Sequence, residues 1–251
     1  MTEIAPRSSL LVEYLQGYGT QVKGYAMNSI FNFRSAGLDP TNGTPMVYDK
    51  DGKLVTNYDQ NGNIVTNMTE FAGLVHGGTL DPTYTVGFMN TVRYKRFTFT
   101  MMIIANGGNV IRDAIPGTLT NAAFNRNMDR RALNYWKKPG DEKLPDVQPA
   151  PALRNTTDYY LQYLWFATDA NTMKADYIKV RNIGLSYDFA SHLSKLAKFN
   201  GATVLVQVQN PFSWFRNDKD LDPEAYIIAT DGATRSLPVM PVYMIGLNVT
   251  L

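Results

Sequence analysis

The chain has 251 residues, with 24 Lys and Arg against 22 Asp and Glu, two His and no Cys. That length allows a sizeable core; the net charge of +2 gives no electrostatic basis for nucleic-acid binding, and the lack of Cys excludes disulfides, thiolate metal sites and cysteine nucleophiles. No uncharged apolar run approaches the ~20 residues of a membrane-spanning helix, whereas a β-barrel stays open because its signal is alternation.

Turns rich in Gly, Pro and Asn divide the chain into short extended pieces that hold most of the aromatic residues. Leu38 to Pro82 reads as a long connection. Within it Tyr48 to Asn57 is repeated in tandem by Tyr58 to Asn67. The turn signals Asp51-Gly52 and Asn61-Gly62 predict two small hairpins. In the next segment Tyr84, Val86, Phe88, Val92 and Tyr94 oppose Thr85, Gly87, Thr91 and Arg93, with Asn90 an exception on the apolar side. After a tight turn at Lys95, Phe97, Phe99, Met101 and Ile103 oppose Arg96, Thr98 and Thr100. Period two of this kind marks strands whose faces meet different media. A second long connection, Asn106 to Ala175, holds a short helix expected between Asn121 and Trp136 and ended by Pro139-Gly140.

The following strand breaks phase. Ile183, Leu185, Tyr187 and Phe189 share a face, but simple alternation would put Arg181, Lys179 and Tyr177 on it too. Either a bulge near Asn182 corrects the phase, or the upper part of the strand lies beyond the apolar layer, where Lys and Arg meet water. A basic link from Ala190 to Gly201 leads to Val204, Val206 and Val208, which oppose Thr203, Gln207 and Gln209. The third long connection runs from Pro211 to Pro241. In the last strand Tyr243, Ile245, Leu247, Val249 and Leu251 oppose Met244, Gly246, Asn248 and Thr250. Long and short connections thus alternate. Structureless loops this long are uncommon in compact soluble domains, while outer-membrane barrels have long loops on one rim and short turns on the other. Phe97, Phe99, Val204, Val206, Ile245, Leu247 and Val249 are therefore expected to face lipid, and Thr98, Thr100, Gln207, Asn248 and Thr250 the lumen.

Residues with chemistry to offer are few. Asp188, Ser191 and His192 are sequence neighbours on a strand end, which is not a triad geometry. Asp222 and Glu224, separated by Pro223, read either as a carboxylate pair of the glycoside-hydrolase kind or as loop turn chemistry. Asp49 and Asp51 give a faint calcium-loop pattern without the further acidic ligands. No catalytic, metal or cofactor site is expected. Tyr160, Tyr163 and Trp165, together with Trp214, are the candidates for stacking on sugar rings, with loop packing as the alternative.

Several ordered segments resemble one family. Gly24 to Phe31 and Ala36 to Asp39, Val86 to Tyr94, Trp136 to Asp141, Ala175 to Tyr187, Val206 to Asn210, Leu221 to Glu224 and Tyr243 to Leu251 are similar to SusC/RagA-type TonB-dependent outer-membrane transporters. Ala26 stands where Pro is usual, Pro211 where Leu is usual, and Leu251 where a terminal aromatic is common. The resemblance implies an all-β fold, an antiparallel transmembrane β-barrel segment with long extracellular loops. Such barrels have roughly 22 strands around a plug, at roughly 10 residues per strand. Residues 1–251 are accordingly expected to be the C-terminal portion, about six to eight strands, without the plug domain or the N-terminal strands. The implied function is nutrient import, of a glycan or peptide, energised by TonB through the missing plug. It would occur in the outer membrane of a Gram-negative, Bacteroidetes-like bacterium. A SusD-like surface lipoprotein and outer-membrane lipid would be its partners, with no covalent chemistry. The alternative from another class is a soluble β-sandwich carbohydrate-binding module.

Overall fold

The computed structural model describes residues 22–49, 51–55, 74–113, 133–150, 164–189, 201–229 and 232–250. Strands β1 (Ser29–Leu38), β2 (Pro45–Tyr48), β3 (Leu54–Val55) and β4 (Leu74–Thr79) form one sheet in the order β3-β2-β1-β4. Next come β5 (Tyr84–Tyr94) and β6 (Phe97–Gly107), then a short β7 (Val110–Arg112) paired with β8 (Thr172–Lys174). The remaining strands are β9 (Tyr177–Asp188), β10 (Gly201–Phe215), the paired β11 (Tyr226–Ala229) and β12 (Gly232–Arg235), and β13 (Val242–Thr250). No helix among the described residues is long and apolar enough to cross a membrane, which says nothing of strands.

The chain divides into two compact units. One comprises Met1–Asp81, Val110–Met173 and Tyr226–Arg235. Its small core of Phe33, Val47, Leu164 and Ala167, with Leu74 packed against it, lies on the β1–β2–β4 sheet. The first of the two expected hairpins is present: Val47 pairs with Val55 and Tyr48 with Leu54. Asp49 Oδ1 accepts the backbone N–H groups of Asp51 (2.9 Å) and Lys53 (2.8 Å), and Gly52 supplies the left-handed turn residue at φ 77°. The Asp49 side chain thus serves its own turn. The second hairpin, most of the expected helix at Asn121 to Trp136, and His192 lie outside the described residues.

The other unit comprises Pro82–Asn109, Lys174–Ala225 and Ser236–Leu251. Its sheet has the order β13-β10-β9-β6-β5, with every pair antiparallel, an up-and-down meander. This meander holds five strands among the described residues, while the strand residues from Ser29 onward pair in the first unit's own sheet. At one end lie the tight turn at Lys95 (φ 55°) and the link after Asp188. At the opposite end the chain enters β5 and makes the long β6–β9 and β10–β13 connections. The alternation of short and long connections therefore becomes a real asymmetry of the sheet.

Directly opposed residues of antiparallel strands share a face, so the register settles what each face carries. Val92, Phe99, Leu185, Val206 and Ile245 form one continuous cross-strand row. Tyr94, Phe97, Tyr187, Val204 and Leu247 form the next. These apolar side chains are not covered: Ile245 is 83% exposed, Leu247 69% and Val206 48%. The other face carries Thr100, Gly184 and Gln207 in one row and Thr98, Ser186, Leu205 and Gly246 in the next. Met89, Met102, Ile104, Leu205 and Met244 are the apolar members of this otherwise polar side. A contiguous exposed apolar face of this extent marks a surface with a non-aqueous partner.

Candidate functional site

The phase break in β9 is a bulge. Met102 and Ile103 are consecutive on β6, yet their partners on β9 are Asn182 and Val180, leaving Arg181 as the extra residue. On the opposite flank Gln209 and Phe212 of β10 face the same two residues, with Asn210 (φ 49°) and Pro211 between. An extra residue switches the side to which all following side chains point. Above the bulge Val180 and Ile178 accordingly stay on the apolar face, in register with Ile103 and Ala105. Tyr177 and Lys179 turn to the polar face. The second reading of the sequence, a strand end lying beyond the apolar layer, is thereby overturned, because the apolar row continues to Ile178.

On the polar face this produces a dense ionic cluster. Lys179, only 3% exposed, donates to both oxygens of Asp222 at 2.7 and 2.8 Å and to Glu224 Oε2 at 2.6 Å. Glu224 Oε1 accepts from Tyr177 Oη at 2.6 Å and from the Arg181 guanidinium. Arg181 also donates to Asn210 Oδ1 at 3.3 Å, and Asn106 Nδ2 donates to the Tyr177 hydroxyl. The ammonium lies over the rings of Tyr177 (5.2 Å) and Phe215 (5.7 Å). The carboxylates come from a folded connection after β10, in which Asn217 bonds both the N–H and the C=O of Leu221 at 2.7 and 2.8 Å. Glu224 N–H closes this turn on Asp222 Oδ1 at 3.0 Å.

The electrostatics decide what the two carboxylates can do. Burial alone would raise the pKa of Glu224, but the hydrogen bonds from Lys179, Tyr177 and Arg181 outweigh it and hold the group down at about 2. A glycosidase needs one carboxyl kept protonated near neutral pH; Glu224 is instead held as the carboxylate by Lys179, Tyr177 and Arg181. Because its folded pKa lies below the ordinary 4.5, Glu224 stabilises the fold above that pH, and the contribution is lost as pH falls toward 2. The pair therefore anchors its loop, which goes beyond the turn chemistry read from sequence.

A second cluster sits at the same level of β9. Asp176 accepts from Gly108 N–H (2.6 Å), Tyr84 Oη (3.0 Å) and Arg216 Nη1 (2.9 Å), while its carbonyl accepts the Arg216 N–H (2.9 Å). Burial raises its carboxyl pKa, and the Gly108 N–H, Arg216 and Tyr84 together overcome that and lower it. This carboxylate ties the ends of β5, β6, β9 and β10 together.

The sequence-derived stacking candidates separate. Tyr160 and Tyr163 lie outside the described residues. Trp165 sits in a helical turn between the buried side chains of Leu164 and Phe166, its indole Nε1 buried without a hydrogen-bond partner. Trp214 belongs to β10 instead of a loop; it opposes Ile178 on the apolar face and is 47% exposed. Sequence reasoning passed over Tyr177, Lys179 and Arg181 as site residues, although their misfit to the alternation was the signal that marked them.

Comparison with known proteins agrees with this architecture. No protein-family model matches the chain. It is 32% identical over 143 residues to "TonB-dependent receptor P39" of Formosa agariphila, a match covering 55% of this chain and 13% of that relative. The fold resembles the RagAB peptide importer in its open-open state, with TM-score 0.56 and 18% identity over 89% of this chain and 22% of that one. The closed-closed state matches with TM-score 0.53 and 21% identity, over 88% of this chain and 23% of that one. The chain thus spans less than a quarter of the length of these relatives. In sequence the chain is similar to part of a TonB-dependent receptor, and in fold to part of the RagAB importer.

Proposed function

We propose that this chain forms part of the barrel wall and extracellular loops of an outer-membrane nutrient importer. The observation that carries the reading is the five-strand meander with one exposed apolar face and its long connections gathered at one end. That face suits lipid, and the opposite face suits a lumen, as in transmembrane barrels. The long-connection end would lie outside the cell, and Lys95 with the link after Asp188 at the periplasmic rim. Import would be energised by TonB acting on a plug domain contributed by the complete protein, with a SusD-like lipoprotein over the extracellular mouth. The cargo would be a peptide, as the name of the RagAB importer indicates for that protein, or an oligosaccharide.

Within this reading Trp214 serves the membrane interface, since aromatic girdles flank the apolar band of such barrels. Trp165, Tyr160 and Tyr163 of the Asn106 to Ala175 connection are the residues we propose to contact cargo. The test is uptake by cells with and without the complete gene, using labelled oligopeptides and oligosaccharides in parallel arms. Uptake of one class should depend on the gene and stop when the proton gradient is collapsed. Gene-independent uptake of both classes, or import indifferent to the gradient, would contradict the assignment.

A further inference from the structure

We infer that the β9 bulge and the Lys179 cluster form a single positioning device, which holds the segment from Asn217 to Ala225 as a rigid ledge on the polar face of the wall instead of leaving it as a moving loop. The inference concerns the geometry of the wall, and its consequence for transport rests on the import reading above.

Two facts support it. If Arg181 were paired in regular alternation instead of bulged out, Lys179 would point to the apolar face, where an ammonium has no partner; with the bulge, Lys179 meets Asp222 and Glu224 at 2.6–2.8 Å. The bulge also places Asn210 under Arg181, which reaches Glu224 with its other end. Lys179 and Asp222 each have 4% side-chain exposure. Removing one member of so buried a set strands charges away from water, which is far more costly than losing a surface ion pair. The segment's other fixed points are the Asn217–Leu221 hydrogen bonds and Ser236, whose N–H donates to Ala225 O at 2.8 Å. Its buried apolar anchors are only Leu221 and Ala225, while Asp218 and Asp220 are exposed.

Lys179 is therefore a positioning residue for the mouth of the barrel. The complete transporter, reconstituted in lipid vesicles, would carry a nitroxide label at Asp218. In the parent protein the label should report slow, ordered motion. Lys179→Met should narrow its lines and speed protease cleavage of the segment by about tenfold or more, since cleavage follows the population of the open form. Glu224→Gln, which keeps the shape and part of the hydrogen bonding, should give a smaller change in the same direction. The gel shift on heating, which reports barrel assembly, should be unchanged in both variants. In cells, Lys179→Met should lower import severalfold at equal surface abundance. A label that stays immobile in Lys179→Met, or that is already mobile in the parent protein, would overturn the inference. Unchanged import with a freed label would overturn the positioning role. The label readout needs no cargo, so it distinguishes failure of this inference from failure of the import reading.

Discussion

Val206→Arg should destabilise the complete barrel by roughly 2–4 kcal/mol, the range for a basic residue on the lipid face near the bilayer midplane. Val206 lies in the middle of β10 and of the row Val92, Phe99, Leu185, Val206 and Ile245, so an arginine there meets hydrocarbon on every side. Its neighbour Gln207 lies in the row with Thr100, Gly184 and Met244 on the opposite face. Gln207→Arg should cost a small fraction of that amount, because the guanidinium reaches water or polar groups. Urea unfolding of the two variants in lipid vesicles measures the contrast. Similar large losses for both would describe a sheet buried on both sides, as in a β-sandwich, where a second layer must cover the apolar face.

The second large effect belongs to the other unit. Arg112 has no exposed surface. Its Nη2 donates to Phe31 O (2.8 Å) and Asn32 Oδ1 (2.6 Å), its Nε to Asn32 Oδ1 (3.3 Å), and the guanidinium lies 5.5 Å from the centre of the Phe166 ring. Arg112→Ala removes charge-assisted hydrogen bonds, leaves buried acceptors unpaired and opens a cavity behind Phe166. The expected cost is about 3 kcal/mol or more. Hydrogen exchange of the β1–β4 amides should accelerate accordingly, and Arg112→Lys should recover only part of the protection because it cannot serve Phe31 and Asn32 with a planar fork. Exchange unchanged in Arg112→Ala would show that the packing of Phe33, Val47, Leu164 and Ala167 holds the unit without it.

How much of this was legible beforehand varies by element for physical reasons. Alternation in β5, β6, β10 and β13 was readable because each strand puts mainly apolar side chains on one face and mainly polar ones on the other. In β9 the same signal failed at one residue, since a bulge leaves no signature in composition, and two readings fitted equally well until the partners of Met102 and Ile103 were known. The Lys179 cluster was hidden for a related reason: Asp222 and Glu224 are more than forty positions from Lys179 along the chain, and only the register brings them together. Trp214 was misplaced into a loop because Pro211 suggested that the strand had ended, whereas β10 continues through it to Phe215. The pairing of Ser29–Leu38 with Leu74–Thr79 spans a long insertion, which periodicity does not encode.

The central claim is that the meander is a membrane wall with one face in lipid. Single nitroxide labels along β13, from Tyr243 to Val249 in the reconstituted complete transporter, test it directly through their accessibility to oxygen and to a water-soluble nickel chelate. The account predicts period two, with oxygen accessibility high and nickel accessibility low at Tyr243, Ile245, Leu247 and Val249, and the oxygen signal falling at Met244, Gly246 and Asn248. Uniformly high nickel accessibility along the strand, or alternation of the opposite phase, would contradict it.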